Sequence, residues 1–168
     1  MAVMRMGYMH VRVTDLAEAK EHYANTVGLY QTLEQDGKVY YKGWDEWDHH
    51  SVVLEEGGVG MVKCGFKCET PEDVAVLETK ATAFGYPVER MVAGENPEVG
   101  DGIRVTLPSG HLIEFYSHMT SWGLEVGTHN PDAFPRHMVG IGAPRLEHEL
   151  LWVNDPAGAP WEVYTITD

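Results

Sequence analysis

Nine histidines and two cysteines are the residues of this 168-residue chain best suited to metal, acid–base or thiol chemistry. His10 falls in an alternating N-terminal stretch, His49 and His50 are adjacent, and His118, His129 and His137 are scattered through a region with several Gly and Pro. Each of the last five is chemically able to bind a metal. No spacing selects one, so they read as surface or connector histidines. Cys64 and Cys68 lie four apart in an apparent strand, which puts their side chains on one face but too far apart to bridge easily. The expectation is of reduced, buried thiols in a cytoplasmic protein. A third feature is a repeated ending. "LPSGHLIEFY" (Leu107 to Tyr116) and "DPAGAPWEVY" (Asp155 to Tyr164) both place a Glu after Pro, a small residue and Gly, ahead of a hydrophobic pair ending in Tyr. Glu114 and Glu162 therefore hold matching places.

The elements that must position these residues follow from the pattern. Tyr8–Val13 alternates as a strand. Asp15 is an N-cap with Glu18 three residues on, and "LAEAKEHYANTVGL" has helical spacing up to Gly28. Short strands are expected around Tyr30–Glu34, Val39–Trp44 and Ser51–Glu55, with "QDGK" as a hairpin turn between the first two. The pattern then restarts. "MVKCGFKC" is a strand, Thr70 caps a helix with Pro71 at its first position, and Gly85 stops that helix after Phe84. Strands are expected near Val88–Val92, Ile103–Leu107 and His111–Tyr116. The chain thus repeats strand–helix–three strands, over about 6–57 and 60–117, and two such units side by side can form a concave surface.

Composition narrows the function. The hydrophobic share of 43% supports a real core, and a net charge of -14 argues against nucleic acid and anionic membranes. No apolar run approaches the ~20 residues of a membrane span. The strand-like N-terminus has no long apolar signal core, so no secretion signal is expected.

Three stretches, "GYMHVRVTDLAEAKEHYANTVGL", "PSGHLIEFY" and "WGLEVGTHNPDAFPRHMVGIGAPRLEH", resemble the type I extradiol ring-cleavage dioxygenases, the catechol 2,3-dioxygenase family. The resemblance covers nearly everything from Met4 to about His148, and the connector ending in Arg-Leu-Glu-His is its most diagnostic part. It implies an α+β protein with the vicinal-oxygen-chelate fold (glyoxalase/bleomycin-resistance/dioxygenase) of paired βαβββ units, plus a connector and a short C-terminal hairpin. The implied organisation is an N-terminal domain without metal at 1–117, a connector at 118–144, and a remnant of the catalytic domain at 145–168. The implied activity is Fe(II)-dependent extradiol cleavage of catechol-type diols by dioxygen, in the cytoplasm.

In such enzymes two His and one Glu hold the iron of the second domain. On that pattern the first domain offers Tyr8, Lys63 and Glu114, a poor set for Fe(II), with Lys63 expected to pair with Glu114. His10 shares a strand face with Tyr8, so His10 with Glu114 is a lesser candidate for an adventitious metal site. The tail offers His148 as the first metal His and Glu162 as the metal Glu. Tyr8 to Glu114 spans 106 positions but His148 to Glu162 only 14. The expectation is therefore a second domain shortened internally by roughly ninety residues, with the third ligand and the catalytic residues unassigned. Two other readings accompany this one. A metal-free module could bind a small aromatic through Tyr40, Tyr41, Trp44, Trp47 and Phe115. Alternatively, an abandoned apolar face could drive homo-oligomerisation.

Overall fold

The computed structural model describes residues 3–123, 135 and 138–146, and the backbone alone of 151–154 and 160–163. Strand β1 (Val3–Val13) begins five residues earlier than expected. Helix α1 (Leu16–Glu21) starts where the Asp15 carboxylate accepts a hydrogen bond from the Glu18 N–H at 2.9 Å. The sequence suggested one helix up to Gly28. Instead α1 widens into a π-helical turn over His22–Val27, and the Gly28 N–H, with Gly28 left-handed at φ 83°, closes it on the Tyr23 carbonyl. The carbonyls of Thr26 and Val27 turn outward here and accept from the amides of Ile141 and Ala143 at 2.9 and 3.0 Å.

Strands β2 (Tyr30–Gln35) and β3 (Lys38–Lys42) form the expected hairpin. Asp36 and Gly37 both have positive φ, 51° and 73°, as the tight turn suited to strand twist requires. Strand β4 (Val52–Glu56) completes the first unit. The second unit repeats the plan with β5 (Gly60–Cys68), α2 (Pro71–Ala83), β6 (Val88–Met91), β7 (Gly102–Thr106) and β8 (Leu112–Tyr116). The Thr70 hydroxyl caps α2, accepting from the Asp73 N–H at 3.2 Å.

The eight strands form one sheet in the order β2-β3-β4-β1-β5-β8-β7-β6. β1 runs parallel to β4, β5 runs parallel to β8, and the units join through the antiparallel β1–β5 pair. The two halves thus mirror each other in connectivity.

Side-chain alternation divides the sheet into two faces. Val39 and Tyr41 on β3, with Val52 and Leu54 on β4, pack with Leu29 and the apolar side of α1. Cys68, Ile103 and Val105 pack with Val74, Leu77 and Ala81 of α2. The other parity, Tyr8, Tyr40 and Val53 with Met91, Tyr116 and Met119, faces the concave side. Cys64 and Cys68 are buried and form no disulfide, as expected.

Residues 138–146 pack against the first unit. Besides the contacts to the π turn, the Trp44 indole N–H donates to the Gly142 carbonyl at 2.9 Å and the Asp45 N–H to the Pro144 carbonyl at 2.9 Å. Any Cβ at Gly28 would strike the Val139 carbonyl, and any at Gly43 the Pro144 carbonyl. These two glycines admit the connector. Further on, β9 (Leu151–Asn154) and β10 (Pro160–Val163) pair antiparallel as the expected C-terminal hairpin.

Candidate functional site

Three residues lie in one row across the sheet where the units meet. Tyr8 on β1 faces Gly65 on β5, and Gly65 faces Glu114 on β8. Gly65 has no side chain, and the Tyr8 ring occupies the place of its Cβ. The phenol therefore spans the middle strand, and its hydroxyl donates to Glu114 Oε2. Lys63, two residues from Gly65 on β5, approaches Glu114 Oε1 at 3.1 Å. The three positions named by the family pattern in the first unit thus come together, and the expected Lys63–Glu114 pair forms.

Two residues that the sequence reading missed complete the cluster. Arg104 Nε donates to Glu114 Oε1 at 2.7 Å, and its Nη2 reaches Glu95 at 2.7 Å. Asn96 Nδ2 donates to Glu114 Oε2 at 3.0 Å, while its Oδ1 accepts from Lys63. Arg104 had a usable signal. It pairs with Glu114 in the β7–β8 hairpin, whose register follows from the "LPSG" turn. Asn96 comes from the β6–β7 loop, for which no periodic signal exists.

The electrostatics follow from burial. Glu114 is 0% exposed and is surrounded by a phenol, an ammonium, a guanidinium and an amide. Burial, and then the charge of Glu114, holds the Tyr8 pKa well above the ordinary tyrosine value, so Tyr8 remains a donor. Burial lowers Lys63 below the usual lysine value, with Glu114 pulling against it. Both carboxylate oxygens are saturated by donors, two of which carry positive charge. A cation has neither a free lone pair nor a favourable field here.

His10 does not join Glu114. Its Nε2 lies 3.2 Å from Glu55 Oε2, without hydrogen-bond geometry, and burial lowers its pKa to about 4. The side-chain contact shown for His10 is thus to Glu55, and the oxygens of Glu114 are taken by Tyr8, Lys63, Asn96 and Arg104. Among the described residues no group of three or more His, Cys, Asp and Glu is gathered around a common point.

His49 and His50 are not surface histidines as expected. They are 6% and 1% exposed, and their Nδ1 atoms meet at 3.0 Å. Burial, then the neighbouring His49, lowers the His50 pKa to about 3, so the ring stays neutral between Tyr8 and Tyr40. The cause is their position in the β3–β4 loop, which folds under the chain at Thr120–Gly123. His118 is exposed, as expected. His129, His137 and His148 lie outside the described residues, as does the side chain of Glu162.

The concave face holds a cavity of about 320 Å³ lined by Tyr8, His10, Tyr40, His50, Lys63 and Arg104. The five aromatics proposed for it do not converge. Tyr40 lines it, Tyr41 faces α1, Trp44 donates to the Gly142 carbonyl, Phe115 packs with the α2 cluster, and Trp47 is 54% exposed. Strand alternation separates Tyr40 from Tyr41, a parity the composition of the set ignored.

The profile of the family described as catechol 2,3-dioxygenase-like N-terminal domain matches residues 63–127. Metapyrocatechase of Pseudomonas sp. (strain CF600) is 36% identical over 168 aligned residues, 97% of this chain and 54% of that protein. A manganese-dependent 2,3-dihydroxybiphenyl 1,2-dioxygenase of Geobacillus genomosp. 3 is 24% identical, over 92% of this chain and 50% of its own length. The chain thus spans about half the length of these relatives. Among solved structures, the 2,3-dioxygenase LapB from Pseudomonas sp. KL28 superposes with a TM-score of 0.81 at 37% identity, covering 87% of this chain and 52% of that one. Homoprotocatechuate 2,3-dioxygenase from Arthrobacter globiformis gives 0.66 at 30% identity, over 71% of this chain and 37% of that one.

The metapyrocatechase match also tests the idea of an internal loss. Since 97% of the chain is about 163 residues, only about five of the 168 aligned positions hold a residue of the relative that this chain lacks. No gap of roughly ninety residues splits the match, so the reading of the tail as two distant ends brought together fails. The assignment of Glu162 as the Glu that closes the metal site depended on that reading. A common fold, a profile match and similarity running through "RLEH" agree: the chain is similar to the extradiol dioxygenases over about half of their length and has the vicinal-oxygen-chelate fold.

Proposed function

We propose that the whole protein cleaves catechol-type diols beside the diol, using dioxygen and a divalent metal, Fe(II), and that the βαβββ pair at residues 3–116 is its metal-free unit. The observation that carries this reading is similarity to metapyrocatechase across 97% of the chain, up to and beyond His148. Fe(II) suits a site of two His and one carboxylate with open positions; the relative named as manganese-dependent makes Mn(II) the comparison metal. When bound, the metal would supply open coordination positions for the diol and for dioxygen.

The chain's own residues divide the work. His148 is proposed as the first metal ligand, since a neutral imidazole nitrogen suits either ion. The other two ligands are not assigned to residues of this chain. Tyr8, Lys63, Asn96 and Arg104 occupy the oxygens of Glu114, so the first unit's carboxylate does not compete for the metal. A cytoplasmic homo-oligomer fits the same reading, and no helix among the described residues is long and apolar enough to cross a membrane. The metal-free aromatic binder loses its support, because its five aromatics point in different directions.

The test is anaerobic loading of the full-length protein with Fe(II) or Mn(II), followed by oxygen uptake with catechol and identification of the product. Metal-dependent uptake yielding the ring-opened semialdehyde is expected. Stoichiometric metal with no uptake, or saturable catechol binding indifferent to metal, would overturn the proposal.

A further inference from the structure

Strand register lays out the floor of the concave cavity. Tyr40 on β3 stands opposite Val53 on β4, Val53 opposite His10 on β1, and His10 opposite Lys63 on β5, so the four form one row across the sheet. All four line the cavity. Two residues away on β1, Tyr8 belongs to the cluster around Glu114, whose polar groups already satisfy one another. The row through His10 is not satisfied in that way. His10 is 4% exposed, and its Nε2 makes no hydrogen bond among the described residues. Lys38, two residues before Tyr40, lines the same cavity, and its ammonium makes no ion pair or hydrogen bond among the described residues. Glu55, the carboxylate opposite it on β4, accepts from Arg12 at 3.1 Å instead.

The charges decide what such a cavity can take. Lys63 and Arg104 also line it, but both are shared with the buried Glu114, and Arg104 with Glu95 as well. Of the three cations Lys38 is the one left without a carboxylate among the described residues. The exposed Asp36 and Glu95 stand among the lining residues, so a second negative charge on a ligand meets repulsion. Burial keeps His10 neutral, Glu55 opposes this, and the charges of Lys63 and Lys38 add to it, so the fields of both ammonium groups meet at that ring. Another part of the wall is flat and largely apolar: the Tyr40 and His50 rings stand edge to face at 4.9 Å, with Val53 packed in the same cluster as Tyr40. The volume lies at the lower end of the roughly 300–1,000 Å³ of small-molecule sites. We propose that this cavity binds a small organic monocarboxylate, its carboxylate beside Lys38 and His10 and its apolar body against Tyr40, His50 and Val53. One unpaired ammonium matches one negative charge, and a charge-assisted hydrogen bond in a largely enclosed site is among the strong ones. Every residue of the site lies between Tyr8 and Arg104, apart from the metal ligand proposed above.

The test uses the full-length protein, with benzoate as the probe and benzyl alcohol and inorganic phosphate as the neutral and the more highly charged comparisons. Calorimetric titration reads affinity, and the Val53 methyl and His10 ring resonances read location. Benzoate should saturate, move both sets of resonances, and bind at least roughly tenfold more tightly than either comparison. Lys38→Ala should weaken benzoate by roughly tenfold, the loss of one hydrogen bond to a charged group, and Lys38→Arg should recover most of it. Lys38 is only partly buried, just after the β2–β3 turn, so both variants should keep the wild-type urea midpoint. Absence of saturation, phosphate binding as tightly as benzoate, or affinity in Lys38→Ala within about twofold of wild type overturns the proposal. So does benzoate affinity that follows Mn(II) content while the Val53 and His10 resonances stay in place, which would put the carboxylate on the metal.

Discussion

Replacing Glu114 with glutamine removes one charge and almost no volume from a site with 0% exposure. The carboxylate accepts from the Tyr8 hydroxyl, from Lys63 at 3.1 Å, Arg104 at 2.7 Å and Asn96 at 3.0 Å. Glutamine keeps one acceptor oxygen and places an NH₂ among four donors. Arg104 retains Glu95 at 2.7 Å, so most of the loss falls on Lys63, whose side chain is 12% exposed. Removing one partner of a buried pair costs about 3–5 kcal/mol. The surviving Arg104–Glu95 contact puts this case near the lower end, about 3 kcal/mol, or a fall in Tm of roughly 6–12 °C for a chain of this size.

The pH dependence distinguishes this cause from simple mispacking. Lys63 already titrates below an ordinary lysine because of burial, and Glu114 opposes that shift. Without Glu114 its pKa falls further. Between the folded and unfolded pKa values the unfolded chain then holds more protons, so stability rises with pH across that interval. The deficit of Glu114→Gln should shrink as pH rises from about 7 toward the ordinary lysine value of about 10.4. Urea unfolding of variant and wild type at roughly pH 7 and pH 9.5 measures it. A loss below about 1 kcal/mol, or an equal loss at both pH values, would refute the view of Glu114 as the anion that keeps Lys63 charged.

Gly65→Ala should cost roughly 1–3 kcal/mol in urea unfolding, because its Cβ would enter the space of the Tyr8 ring; a change under about 0.5 kcal/mol would show that Tyr8 does not span the middle strand. His10 and His50 are held down to about 4 and about 3 by burial, below the unfolded value of about 6.5. Stability from neutral imidazoles is thus fully present above that value and is lost as pH falls through the interval. His50→Gln removes one such group and should flatten the loss between about pH 6.5 and pH 4 by up to ~1.4 kcal/mol per unit. Identical pH slopes for variant and wild type would remove His50 from the account.

What the sequence revealed was mostly local. Asp15 and Thr70 cap their helices because a short polar side chain before an apolar-periodic run has few better uses. The "QDGK" turn works because Asp and Gly tolerate the positive φ that strand twist demands. Apart from the parity of Tyr40 and Tyr41, the errors were long-range. Whether His49 and His50 are exposed depends on the chain returning at Thr120–Gly123, some seventy residues later. The π turn in α1 accompanies carbonyls turned toward Ile141 and Ala143, more than a hundred residues on. Lys63 was legible because its pairing needs only the strand register, whereas Asn96 depends on an irregular loop.

The repeated ending shows how a motif can carry less than it suggests. In "LPSGHLIEFY" the Leu107 N–H bonds the His111 carbonyl at 2.9 Å and Gly110 sits at φ 86°, so the Pro and Gly make a turn and the alternating residues make the strand after it. Those features recur wherever a hairpin does, and "DPAGAPWEVY" likewise supplies β10, paired with β9. What gives Glu114 its chemistry lies across the strands, not along them. Arg104 stands opposite on β7 and Gly65 opposite on β5, with Tyr8 beyond it. Glu162 stands opposite Trp152 in a two-stranded ladder. A Glu after a Pro-x-Gly turn therefore predicts a strand, and only its cross-strand neighbours determine whether it holds a metal, a lysine or neither.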